Sequence, residues 1–151
     1  MAAENKKVWH TVTVESTEEV AEGVRRIVLR YPTAQQAKPG THVDLEVPQP
    51  SGGTLSRSYS IVDVDESGHL IALSVLKLKA SRGGSAAMHT LSAGTSLRAT
   101  EPLQNFPLGV GASRYVLVAG GIGVTALVGM AAVLKARGAD YEMVYVGRSR
   151  D

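Results

Sequence analysis

Tyr115-Val116-Leu117-Val118-Ala119-Gly120-Gly121-Ile122-Gly123-Val124-Thr125 divides the chain into two textures. Its first five residues are a continuous apolar run, as in a strand buried on both faces, and the glycines then turn the chain into an apolar helical pattern from Thr125 to Arg137. Gly138 stops that helix, and a second run from Tyr141 to Val146 completes a β-α-β unit. The glycine turn lies between a strand and a helix N-terminus, where backbone amides hold a pyrophosphate, yet it is not the G-x-G-x-x-G dinucleotide fingerprint. Tight strand-to-helix packing would use the same glycines.

Upstream, from Val8 to Thr100, the segments are short, rich in β-branched residues and separated by turn formers, the pattern of an antiparallel barrel. Six strands are expected, near Val8–Glu15, Val24–Tyr31, His42–Val47, Arg57–Val62, Leu70–Leu76 and Ser96–Thr100. Pro39-Gly40, the loop from Pro48 to Gly53, and Glu66-Ser67-Gly68 supply breaks, and Ser16-Thr17-Glu18-Glu19 reads as a polar turn. Asp44 and Glu46 alternate on one face and are expected to meet solvent. Ser81-Arg82-Gly83-Gly84-Ser85 reads as a loop opening a short helix that ends near Gly94, with His89 on its surface. A linker at Gly109, Gly111, Ala112 and Ser113 places the division between residues 1–108 and 109–151.

Composition narrows the function. Sixteen basic against fourteen acidic residues leave a net +2 with the basic residues scattered, which is no footprint for nucleic acid. No apolar run is long enough to cross a bilayer, and the polar N-terminus lacks the apolar core of a signal peptide, so a cytoplasmic protein is expected. Without cysteine the chain makes no disulfide, zinc-thiolate site or cysteine-ligated iron–sulfur cluster of its own, and redox chemistry would need a bound organic cofactor. The histidines His10, His42, His69 and His89 show no ligand spacing, so no metal site is expected.

Arg57-Ser58-Tyr59-Ser60-Ile61 sets a guanidinium, a ring and two hydroxyls on one expected strand. Alternation sends Arg57 and Tyr59 to one face and Ser58 and Ser60 to the other, unless a bulge intervenes. Arginine forks onto phosphate, an aromatic ring lies along a planar cofactor, and serine bonds a heteroatom at its edge. A surface arginine beside a half-buried tyrosine would give the same string. Arg82-Gly83-Gly84-Ser85 offers backbone amides and a hydroxyl to an anion, and a flexible glycine loop with a serine cap is its plain alternative.

Together and in this order, these stretches resemble the ferredoxin–NADP reductase superfamily, in its phthalate dioxygenase reductase-like and vanillate demethylase reductase-like branch. Further matches are Met88-His89, Glu101-Pro102, Asn105-Phe106-Pro107-Leu108 and Tyr145-Val146-Gly147-Arg148-Ser149. The resemblance implies a mainly β protein: a six-stranded antiparallel Greek-key flavin-binding barrel, then the first β-α-β unit of an α/β nicotinamide-binding domain. It implies FMN, with FAD less favoured because the link from Leu76 to the helix is short, and NADH or NADPH as donor. Arg57, Ser58, Tyr59 and Ser60 would contact the flavin, the backbone of Ser74, Val75 and Leu76 would line its polar edge, and Arg82, Gly83, Gly84 and Ser85 would hold its phosphate. Ser60 and Thr125 would stand near the reactive ring, with no side-chain acid or base required. Gly120, Gly121, Gly123, Arg148 and Ser149 would meet the nicotinamide nucleotide.

In this branch electrons pass on through a [2Fe–2S] centre to a Rieske-type aromatic oxygenase, so an iron–sulfur domain and an oxygenase component are the implied partners. The chain stops after two parallel strands, which leave an apolar sheet face and open edges. A fragment is expected, or a surface covered by a partner or a further copy. The rival reading is a non-catalytic flavin-binding or interaction module whose incomplete second half docks a partner.

Overall fold

The computed structural model describes residues 6–80 and 83–148. Six strands, β1 (Trp9–Ala21), β2 (Val24–Arg30), β3 (Thr41–Pro48), β4 (Thr54–Val64), β5 (Leu70–Leu76) and β6 (Ser96–Thr100), follow one another round a ring in the order β4-β5-β2-β1-β6-β3. A β3–β4 pairing closes the ring, and a two-residue strand, β7 (Leu103–Gln104), adds to the outside of β3. All pairs are antiparallel. β3, β4 and β5 run as a meander and β6 returns beside β3, which is Greek-key order.

Period-two alternation explains the closure. Val12 and Val14, Ile27 and Leu29, Val43 and Leu45, and Ile71 and Leu73 each send every second side chain inward, where all are at most 1% exposed. Each such side chain contributes about 1.5–3 kcal/mol of burial, enough to fix the register of every strand against a one-residue slip.

Ser16-Thr17-Glu18-Glu19 is strand and not turn. The polar half of β1 finds partners on β2: Arg30 clasps Glu15 with two bonds of 2.8 Å, and Arg25 Nη1 donates to Thr17 at 3.2 Å. Cross-strand pairs therefore outweigh the turn propensity of the string. The chain reverses later, at Glu22-Gly23, where Gly23 has φ 69°.

Between β5 and β6 lies α1 (Gly84–His89). It ends well before Gly94, because the Thr90 hydroxyl takes the Ala87 carbonyl at 2.7 Å, and Gly94 instead bonds Val14 at the entry to β6.

The second sheet holds two parallel strands, β8 (Tyr115–Gly120) and β9 (Tyr141–Val146), joined through α2 (Val128–Ala136). The helix starts later than its apolar pattern suggested. Gly121–Ala126 forms a 3-10 turn first, since two glycines among β-branched residues are poor α-helix formers. Leu117 and Ala119 of β8 bury against Leu127, Met130 and Leu134. Met130 also reaches the barrel. A Cβ on Gly40, which has φ +80°, would lie 2.6 Å from the Met130 Cε and 1.9 Å from the Phe106 carbonyl oxygen. The Pro39-Gly40 turn is thus the seat of α2 on the barrel.

Candidate functional site

The barrel opens between β4 and β5. Their pairing runs only from Val64↔Ile71 to Ile61↔Leu73, while β4 continues back through Ser60, Tyr59, Ser58 and Arg57 and β5 continues through Ser74 to Leu76. The ladder on the far side of β5 fixes which backbone groups face the gap. Tyr31 N bonds the His69 carbonyl and Lys77 N bonds that of Gly23, each at 2.8 Å, so odd-numbered residues of β5 bond toward β2. Ser74 and Leu76 therefore turn their N–H and C=O groups into the gap.

A cleft of about 510 Å³ fills it, lined by Arg57, Ser58, Tyr59, Ser60, Ser74, Val75, Leu76, Leu78, Ala80, Ser85, Ile122, Gly123 and Thr125. Both faces of β4 reach the cleft because it wraps the strand's free edge, so alternation does not separate Arg57 and Tyr59 from the serines. The Tyr59 phenol is pushed above its ordinary pKa by burial, against the opposing pull of Arg57, and stays a neutral donor. Arg57 Nη1 donates to the Ser56 carbonyl at 2.9 Å. Gly84 rests on the same side chain, where a Cβ would come within 3.1 Å of its Cγ and Nε, a tight contact that any larger residue would relieve only by shifting Arg57. Ser85 Oγ accepts the Leu78 amide at 3.1 Å and keeps its own hydrogen to donate.

Ser58 is committed elsewhere. Its hydroxyl donates to Asp44, and Lys7 Nζ meets the other carboxylate oxygen at 2.8 Å. Asp44 is 4% exposed, not the solvent-facing residue its alternation suggested, and its partner in alternation, Glu46, is half-buried beside Arg98. Burial raises the Asp44 pKa, but the bonds from Lys7 and Ser58 and the Lys7 and His42 charges outweigh it, leaving the carboxyl below its ordinary value.

From the second sheet, Ile122, Gly123 and Thr125 close one wall of the cleft. The Thr125 hydroxyl donates to the Ile122 carbonyl at 2.8 Å, which holds the 3-10 turn in shape. Gly120 and Gly121 are exposed at the C-terminal end of β8. Because β8 and β9 are parallel with Gly120 opposite Val146, Arg148 follows at that same end, the side from which open α/β sheets bind ligands. Gly83 caps α1 with φ 102°. Arg82 and Ser149 lie outside the described residues.

Leu78, Ala80 and Ile122 were not anticipated in the cleft, since loop alanines and leucines carry no chemical signature. His89 is not a free surface residue either: half-buried, it donates from Nε2 to the Val75 carbonyl at 2.7 Å. Its signal was present, four residues after Ser85 and so on the same helical face.

No protein-family model matches the chain. It is 42% identical over 113 residues to a vanillate O-demethylase oxidoreductase of Pseudomonas sp. (strain HR199 / DSM 7063), a match covering 74% of this chain and 34% of that protein. Among solved structures it superposes on an intact type IV self-sufficient cytochrome P450 monooxygenase with a TM-score of 0.87 and 37% identity, covering 95% of this chain and 19% of the other. Phthalate dioxygenase reductase, described as a modular structure for electron transfer from pyridine nucleotides to [2Fe–2S], follows with a TM-score of 0.82 and 26% identity, covering 97% and 45%. Barrel, cleft and sequence together make the chain a member of the ferredoxin reductase-like superfamily, in its phthalate dioxygenase reductase-like branch. It spans about a third of the length of the vanillate O-demethylase oxidoreductase it matches.

Proposed function

We propose that the chain carries the flavin-binding part of an NAD(P)H-dependent reductase and that FMN occupies the cleft between β4 and β5. The observation that carries this reading is the convergence on one cleft of the Arg57 guanidinium, the free backbone edge of Ser74 and Leu76, and Thr125 from the second sheet. The donor set fits the group: cationic at one end for a phosphate, lined by backbone donors and acceptors for a heterocycle's edge, and flanked by the Tyr59 ring. A bound flavin supplies hydride acceptance and single-electron release, which no side chain in the cleft can perform.

Arg57 binds the phosphate together with Ser85, Gly84, Gly83 and Arg82. Tyr59 orients the ring and ribityl chain, Ser60 and Thr125 stand by the reactive edge, and Ile122 and Gly123 exclude water from that wall. FMN is preferred to FAD because only seven residues separate Leu76 from Gly84. The turn at Gly120, Gly121 and Gly123, with Arg148 and Ser149, receives the nicotinamide nucleotide, and the functional division falls at residues 108 and 109. Electrons then leave for an iron–sulfur centre and an oxygenase component of the Rieske type, in the cytoplasm. The Pseudomonas relative is named as the oxidoreductase of a vanillate O-demethylase, which supports the electron-transfer role.

The test is anaerobic mixing of FMN-loaded protein with NADH and with NADPH, following the visible flavin absorbance. Bleaching by either nucleotide is the expected result. A bound flavin inert to both overturns the reductase reading and leaves a flavin-binding module.

A further inference from the structure

Helix α1 is fastened at two points along the border of the cleft, one on β5 and one on the loop that follows it. Ser85 Oγ accepts the Leu78 amide at 3.1 Å, and four residues on, on the same helical face, His89 Nε2 donates to the Val75 carbonyl at 2.7 Å. Leu78 and Val75 both line the cleft. Between the two bonds Met88, fully buried, plugs the helix into the barrel core. Apolar burial attaches the helix but is non-directional, whereas a hydrogen bond fixes an angle. Rotation of so short a helix about the Met88 anchor would swing Ser85 and Gly84 relative to Arg57, against which Gly84 lies.

We propose that His89 is a positioning residue for the flavin phosphate: its bond to Val75 holds α1 at the rotation that sets the Ser85 hydroxyl beside the Arg57 guanidinium. The inference rests on the flavin reading of the cleft. His89 itself touches no cofactor; it acts through the helix. An imidazole that donates to a carbonyl must carry hydrogen on Nε2, and the amide nitrogen of glutamine replaces that donor at similar reach. Alanine removes the donor while Met88 keeps the helix attached.

The experiment compares FMN with riboflavin, which shares ring and ribityl chain but lacks the phosphate, in binding titrations of the wild type, His89→Ala and His89→Gln. The expected result is an FMN dissociation constant about tenfold higher in His89→Ala, the scale of one hydrogen bond, with riboflavin changed by less than about twofold and His89→Gln close to wild type. Loss of discrimination between the two ligands is a readout that general loosening of the barrel would not give. Equal weakening of both ligands, or no weakening of either, overturns the role of His89 and leaves the flavin reading intact. A wild type that binds neither ligand overturns both.

Discussion

Asp44 is where single-residue chemistry departs furthest from its pattern. An aspartate alternating with a glutamate on a strand reads as a solvent-facing charge, and nothing in the neighbouring string announces that Lys7, thirty-seven residues earlier, covers it. The cluster ties the start of the chain to β3 and, through Ser58, to the strand that carries Arg57 and Tyr59. Its pKa is lowered in the folded state, so the stability it contributes is complete above the ordinary carboxylate range and disappears as pH falls through the lower folded value. Asp44→Asn should cost about 1–3 kcal/mol at neutral pH, the scale of charged hydrogen bonds lost in a buried site. The deficit should vanish in acid, which denaturant titrations of both proteins at several pH values will check. A deficit constant down to the acid limb would show that the charge is not what matters.

At the level of elements, the seat of α2 on the Pro39-Gly40 turn decides whether Thr125 and Gly123 reach the cleft at all. Gly40→Ala meets both a left-handed backbone, worth about 1–3 kcal/mol, and the Phe106 backbone carbonyl oxygen 1.9 Å from the added carbon. Gly52→Ala is the control: φ is +91° and nothing lies within 4 Å of the added carbon. Unfolding midpoints should fall further for Gly40→Ala than for Gly52→Ala, and only the former should slow reduction of bound FMN by NADH. Equal losses in both would mean the contact with α2 carries no weight. Strands such as Val43 to Val47 and Ile71 to Val75 were legible from the string because Val43, Leu45 and Val47, and Ile71, Leu73 and Val75, place an inward apolar side chain at every second position, although Asp44 and Ala72 between them are buried as well. The polar half of β1 and the 3-10 turn before α2 were not: the first is held by cross-strand pairs with β2 that its polar string does not announce, the second by weak propensities that only tertiary packing resolves.

Over the whole molecule, a barrel with one open seam meets a small parallel sheet whose glycine turn leans over that seam. One face of the small sheet lies against α2, while Val116, Val118 and Val146 are 57%, 66% and 62% exposed. Among the described residues no helix is long and apolar enough to cross a membrane. Order along the chain made the cleft readable: three glycine- and arginine-bearing stretches, each with a plain alternative, meet at one place only when the barrel closes. The resemblance pointed to the backbone of Ser74, Val75 and Leu76, but which of its groups face the gap was not legible, because their direction depends on hydrogen-bond parity that no side chain records. Whether this cleft holds FMN by its phosphate is decided by titrating the wild type and Arg57→Ala with FMN. Saturable one-to-one binding to the wild type is expected, with a loss of about 1.5–3 kcal/mol, or roughly tenfold to a hundredfold in affinity, in a folded Arg57→Ala protein. No saturable binding, or equal affinity in the two proteins, would contradict it.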